Sequence, residues 1–356
     1  MRPALAGETA CAAQRHFANP EMLSSMRRGV NLSTWRRHDG GPTLAQLQAL
    51  RDAGFTHIRL PIDNALLTGE DQTAYLDDIY EEVVLLLSLG YSVSIDLHPD
   101  STVRTLFERD PREGEAYLIA IWQAVAKRLR TFDPARVAFE LLNEPEIGPE
   151  EWRDAAGRLI AAIRPIVPDS TIIVGPSWAQ RHEALDGMKA FDDSNIVYAV
   201  HYYDPFAFTH QGADWQGAGD QLRFLRDLPF PAEANDAVMQ ARIAELEHAG
   251  HAEAAEILRR SLQTPWTERE IAAAFDVMQR WSDQNDRPVV VNEFGVLAHV
   301  APRRSRLDWL ATVRGQAESR CIGWVHWDFQ DGFGLIDPAT GRPDAGVIEA
   351  LIPRAD

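Results

Sequence analysis

The chain has 356 residues, 45% hydrophobic and 25% charged, with 23 Gly, 21 Pro, 10 Trp and 2 Cys. That apolar share supplies a large core and excludes wholesale disorder, and two cysteines cannot build a disulfide framework or a four-cysteine zinc site. Acidic residues outnumber basic ones 53 to 35, a net charge of −18 that repels phosphate backbones and anionic lipid, so neither a nucleic-acid nor a membrane partner is expected.

Residues 1–27 read as an N-terminal extension. They lack the apolar core of a secretory signal, and no stretch in the chain approaches the roughly 18 apolar residues of a membrane-spanning helix. A secreted or periplasmic protein with its signal removed is expected, with a cytoplasmic one left open. From Arg28 the chain alternates short β-branched runs with longer amphipathic stretches. The runs are Gly29–Leu32, Thr56–Leu60, Ser92–Leu97, Val137–Leu142, Thr171–Val174, Ile196–Val200, Pro288–Val291 and Ile322–Trp327. Between them, Leu76, Ile79, Val83, Leu86 and Leu87 recur at helical spacing, as do Leu118, Ile121, Trp122, Val125 and Leu129. Strands alternating with helices imply a parallel sheet buried on both faces. Eight such units over residues 28–356 predict an α/β fold, a single (β/α)8 TIM barrel. An open dinucleotide-binding sheet is the poorer fit, because Asn31-Leu32-Ser33-Thr34-Trp35 is nothing like a glycine-rich phosphate turn.

Residues 216–266 interrupt the rhythm after the sixth run. Pro229-Phe230-Pro231 precedes a helical stretch that breaks at Gly250-His251 and resumes at Ala254-Ala255. We read this as a helical hairpin inserted in a βα-loop, either decorative or a lid that shapes the cleft.

In a barrel, the C-terminal ends of the strands converge on one pocket. Here those ends are polar: Arg59, Asp96-Leu97-His98, Asn143-Glu144-Pro145, His201-Tyr202-Tyr203, Asn292-Glu293-Phe294-Gly295 and Trp327-Asp328. Glu144 and Glu293 form a carboxylate pair suited to acid and nucleophile work on a glycosidic bond. The competing reading is a metal site of carboxylates with His98 or His201, but no helical His-x-x-x-His spacing supports it. No metal and no cofactor is expected.

These motifs resemble glycoside hydrolase family 5, from Gly29-Val30-Asn31 to Trp327-Asp328, and the loop Pro205–Trp215 resembles that of a bacterial branch of the family, mostly endoglucanases. Leu141-Leu142-Asn143-Glu144-Pro145, His201-Tyr202-Tyr203 and Val291-Asn292-Glu293-Phe294-Gly295 carry the resemblance. It implies a retaining enzyme with Glu144 as acid/base and Glu293 as nucleophile, acting on a β-linked glucan polysaccharide or oligosaccharide. The expected activity is endo-β-1,4-glucanase; an exo-acting glycosidase, a mannanase and a non-catalytic carbohydrate-binding barrel are the alternatives. Arg59, Asn143, His201 and Tyr203 are expected to support the carboxylates. His98, Trp35, Trp178, His210, Gln211, Trp215 and Trp327 are expected to contact sugar, Trp327 as the family's tryptophan beside the scissile bond. Trp122, Trp281 and Trp309 fall in helical patterns and are assigned to packing. A hairpin blocking one end of the cleft would favour exo-action. Cys11 and Cys321 are read either as a pair or as two free thiols, and a monomer is expected.

Overall fold

β-Branched residues fit a pleated surface, and each of the eight runs forms a strand. The computed structural model describes residues 17–36, 39–215 and 220–354. The strands are β1 (Arg28–Asn31), β2 (His57–Asp63), β3 (Ser92–His98), β4 (Val137–Glu140), β5 (Ile172–Val174), β6 (Ile196–His201), β7 (Val289–Glu293) and β8 (Gly323–His326). They pair in sequence order, all parallel, and β1 closes on β8. The chain is a (β/α)8 barrel. The two periodic stretches are the helices Gln72–Ser88 and Pro111–Leu129, and Trp122, Trp281 and Trp309 are buried packing residues.

Side chains alternate across each strand, and this alternation sorts the molecule. Ile58, Leu60 and Ile62 of β2, Val93, Ile95 and Leu97 of β3, and Val289 and Val291 of β7 join the large cluster shared with the helices. Their neighbours face the barrel axis. Toward one end these are Ala138, Ile173, Val197, Ala199, Val290 and Val325, sealed by Phe17, Met22 and Met26 around the short helix Pro20–Ser25. The described part of the N-terminal extension is thus the floor of the barrel. At the other end the inward residues are Arg59, Asp96, Glu140 and Asn292, all buried. Arg59 is not a strand end, as the sequence reading has it: β2 runs on to Asp63, because Leu60 and Ile62 continue the outward apolar row.

Between β6 and β7 lie the helices Ala237–His248 and Ala252–Ser261, turned at Gly250. Met239, Ile243, Leu246, Ala254, Ala255 and Leu258 are buried in this segment. It packs on the loop after β6, where Phe208 meets Phe230 and Trp266 at 5.6 and 6.2 Å between ring centroids. Among the described residues, none between 220 and 266 lines the cavities beside Glu144 and Trp327. No described helix is long and apolar enough to cross a membrane. Cys321 is disulfide-bonded, and Cys11 lies outside the described residues.

Candidate active site

Arg59 anchors the site. Its guanidinium is fully buried and donates two bonds to Glu140, through Nε at 2.7 Å and Nη2 at 2.9 Å. Nη1 reaches Glu293 Oε1 at 2.6 Å and Asn31 Oδ1 at 2.9 Å, while Nη2 also reaches Asn143 Oδ1 at 2.8 Å and lies 3.0 Å from Asp96. Burial disfavours the charged form of Arg59, but three carboxylates outweigh it and hold its pKa well above the ordinary value. One cation on β2 therefore fixes residues from four other strands or their loops.

Glu293 ends β7, paired in register with His201 on β6 after a shift in the ladder. Its second oxygen accepts from the Tyr203 hydroxyl at 3.0 Å. Burial, then the charges of Glu293 and Glu144, push the Tyr203 phenol far up, so it stays a donor. Glu144 sits four residues beyond β4 with φ of +45°, a left-handed conformation uncommon for a non-glycine residue. His201 Nδ1 lies 2.9 Å from Glu144 Oε1 and 3.5 Å from Glu293 Oε2. Glu144, His201 and Glu293 each place one donor atom within 4.8 Å of the others, so the two carboxylates face each other across a narrow gap. Burial raises the Glu144 pKa most, but the His201 hydrogen bond, the charge on His201 and those on His98 and Arg59 prevail and leave it below the ordinary carboxylate value.

His98 stacks on Trp327 with centroids 5.6 Å apart and rings 20° from parallel. Its Nδ1 is 2.8 Å from Asp96 and its Nε2 3.2 Å from the Asn143 amide. Burial pulls its pKa down, yet the Asp96 bond and charge prevail and raise it above the usual histidine value. A cavity of about 380 Å³ opens beside His98, Asn143 and Glu144, and another of about 550 Å³ beside Trp327, Trp35 and His98.

The structure brings together Glu144, Glu293, Arg59, Asn143, His201, Tyr203, His98 and Trp327, as the sequence reading groups them. Trp178 and Trp215 are exposed rim aromatics, 62% and 57% accessible. Two assignments change. Gln211 is fully buried, with its amide spent on Phe208 and Leu228 main-chain groups, so it pins the loop after β6 and cannot reach sugar. Trp35 is only 4% exposed and gives its indole N–H to Pro61, so it is a wall of the cavity rather than an open platform. His210 is largely buried, stacked on Phe206 at 3.8 Å, and burial drives its pKa down to about 3, leaving a neutral ring against Tyr203.

Sequence reasoning missed Glu140 and, though it placed Asp96 and Asn292 at the rim, gave them no role: Asp96 lies 3.0 Å from Arg59 and Asn292 donates to Glu140 at 2.7 Å. The signal was available for Glu140: an acid inside an otherwise apolar strand demands a buried cation. As metal ligands, Glu144, His201 and Glu293 are a poor set, since Arg59 already bonds Glu293 and would repel a cation. A second cluster, His182, Glu183 and Asp204, is likewise held by a cation, with Arg181 bonded to both carboxylates.

Residues 21–332 match the family model described as Cellulase (glycosyl hydrolase family 5). The chain is 28% identical to Endoglucanase 3 of Fibrobacter succinogenes, over 92% of this chain and 53% of that protein. It is 26% identical to Endoglucanase C of Acetivibrio thermocellus, over 86% of this chain and 92% of that one. The chain thus spans about half the length of the Fibrobacter relative. Its fold matches the crystal structure of endoglucanase Cel5A from Thermotoga maritima with a TM-score of 0.75, at 24% identity, covering 93% of this chain and 99% of that one.

Proposed function

The chain belongs to glycosyl hydrolase family 5, the cellulase family, and on that footing we propose that it is a retaining endo-β-1,4-glucanase. The observation that carries the mechanism is the spacing of Glu144 and Glu293, with an oxygen of each within 4.8 Å. Retaining glycosidases hold their carboxyl groups about 5–5.5 Å apart, whereas inverting ones need about 6.5–9.5 Å to admit a water.

In the first step a Glu293 oxygen attacks the anomeric carbon while the glycosidic C–O bond breaks. Glu144 gives its proton to the departing oxygen. In the second, Glu144 takes a proton from water as that water attacks the same carbon and frees Glu293. Arg59 and Tyr203 hold Glu293 by both oxygens, which fixes its approach to the sugar. His201 bridges the two carboxylates and is placed to share the travelling proton. Trp327, backed by His98, offers an aromatic face to a pyranose ring.

An open cleft supports internal cleavage of chains, since no described residue between 220 and 266 lines the cavities beside Glu144 and Trp327. The named activity of the Acetivibrio relative, matched over 92% of its length, supports the same choice. A disulfide at Cys321 suits an oxidising compartment and thus a secreted or periplasmic enzyme.

Product release from soluble cellulose derivative, mixed-linkage glucan, glucomannan, xylan and cello-oligosaccharides tests this reading. Rapid viscosity loss on the cellulosic substrates is expected. Loss of the general acid in Glu144→Gln should lower the rate on them by about 10²–10⁴-fold, and Glu293→Gln should abolish turnover with the thermal midpoint kept. Activity confined to short oligosaccharides, or full activity in both variants, contradicts the proposal.

A further inference from the structure

Three consecutive residues after β5, Trp178, Ala179 and Gln180, have φ of 57°, 56° and 53°. Left-handed conformations carry a steric cost for every residue but glycine, and a run of three persists only when the surroundings over-determine it. The turn sends the Gln180 side chain into the protein, where it is fully buried. Its Oε1 accepts the main-chain N–H of Glu144 at 2.8 Å, and its Nε2 lies 3.5 Å from Glu140, the acid that takes two bonds from Arg59. A second tie runs in parallel, from the Trp178 N–H to the Pro145 carbonyl at 3.1 Å. Gly175 leaves the seat open: a Cβ there would stand 2.2 Å from the Gln180 amide.

The need for such a partner follows from the strand lengths. β4 ends at Glu140 and β5 at Val174, so no ladder reaches Glu144, whose φ of +45° turns its N–H away from the strand direction. A buried N–H without an acceptor is costly. The Gln180 carbonyl takes the place of the missing strand neighbour, and in doing so fixes the peptide from which the Glu144 carboxyl projects.

Resting on the glycosidase reading above, we infer that Gln180 is a positioning residue for the acid/base Glu144, setting the angle at which it meets the leaving oxygen. It touches neither substrate nor reacting atoms. Its effect falls on proton delivery and not on attack by Glu293, which hangs from Arg59 and Tyr203 instead.

Leaving-group dependence separates this role from a purely structural one. Cellotetraose needs its departing oxygen protonated, whereas 2,4-dinitrophenyl β-cellobioside releases a stable anion without help. The variant Gln180→Met keeps the volume and removes the acceptor. Its kcat/KM on cellotetraose should fall about 10–10²-fold, part of the 10²–10⁴ that a general acid supplies, and its loss on the aryl substrate should be at least ~10-fold smaller. Gly175→Ala, which keeps the amide but drives it from its seat, should show the same split and serves if Gln180→Met does not fold. Equal losses on both substrates in the folded variants overturn the inference and leave the glycosidase reading intact. A native enzyme that cleaves neither substrate overturns that reading and the inference with it.

Discussion

Inside the rim of the barrel, one guanidinium is divided among three acids. Arg59 gives two bonds to Glu140 and one to Glu293, and stands 3.0 Å from Asp96. Removing Arg59 would leave these buried acids without their cation, whereas losing one acid still leaves Arg59 two others. Glu144 is less constrained, because burial and the charges around it oppose each other. Burial is the largest influence on this carboxyl and raises its pKa, and only the bond and charges of His201, with His98 and Arg59, bring it below the ordinary value. A sugar ring seated over Glu144 removes more water and strengthens the raising influence. The alkaline limb of kcat, which reports the complex, should therefore lie at higher pH than that of kcat/KM, which reports the free enzyme. Initial rates across pH at saturating and limiting substrate give the comparison, and limbs that coincide or fall in the reverse order contradict it. Residues whose chemistry is written in a motif, such as Glu144, Glu293, Arg59 and His201, are legible in the amino-acid sequence itself. Gln180 is not, because a glutamine in a loop carries no pattern and its role depends on three backbone angles that no residue type announces.

At the scale of elements, apolar runs located all eight strands, but several ends moved: β4 stops at Glu140, short of the expected Leu142, while others lengthen. β2 extends past Arg59 to Asp63, and β6 and β7 extend to His201 and Glu293. The apolar runs stop before His201 and Glu293, although the strands include both because their side chains find partners at the rim. Loops were harder. Gln211 follows an aromatic-rich stretch and reads as a sugar contact, yet the segment around Leu228 folds back and consumes its amide. Capping was untouched by the motif reading. Asp344 starts the helix Ala345–Leu351 by accepting from Gly346 and Val347 N–H groups, and it binds both Arg303 nitrogens at 2.6 and 2.7 Å. The Arg303 bonds are the main reason its pKa falls to about 2. Asp344→Ala should lose about 0.5–2 kcal/mol of stability in denaturant unfolding at neutral pH. A folded pKa below the unfolded one gives stability that is present above about pH 4 and lost as pH falls toward 2. The gap between native and variant should narrow over that range, and a pH-independent gap would show that the carboxylate charge does not matter there.

Over the whole molecule, one rule of alternation yields both the scaffold and the site. Outward residues bind the helices, inward residues at one end meet Phe17, Met22 and Met26, and inward residues at the other end form the charged rim. The apolar end supplies rigidity, and the polar end projects groups from different strands toward one bond. Such convergence is what lets two carboxylates far apart in sequence, one on the loop after β4 and one at the end of β7, stand within 4.8 Å. That separation is the central claim in its simplest form, because it leaves no room for a water between sugar and nucleophile. The most direct measurement is the anomeric form of the first product, followed by proton NMR during the first turnovers on cellotetraose. Retention by Glu144 and Glu293 predicts that the β-anomer appears first and then mutarotates. Initial release of the α-anomer would contradict the account.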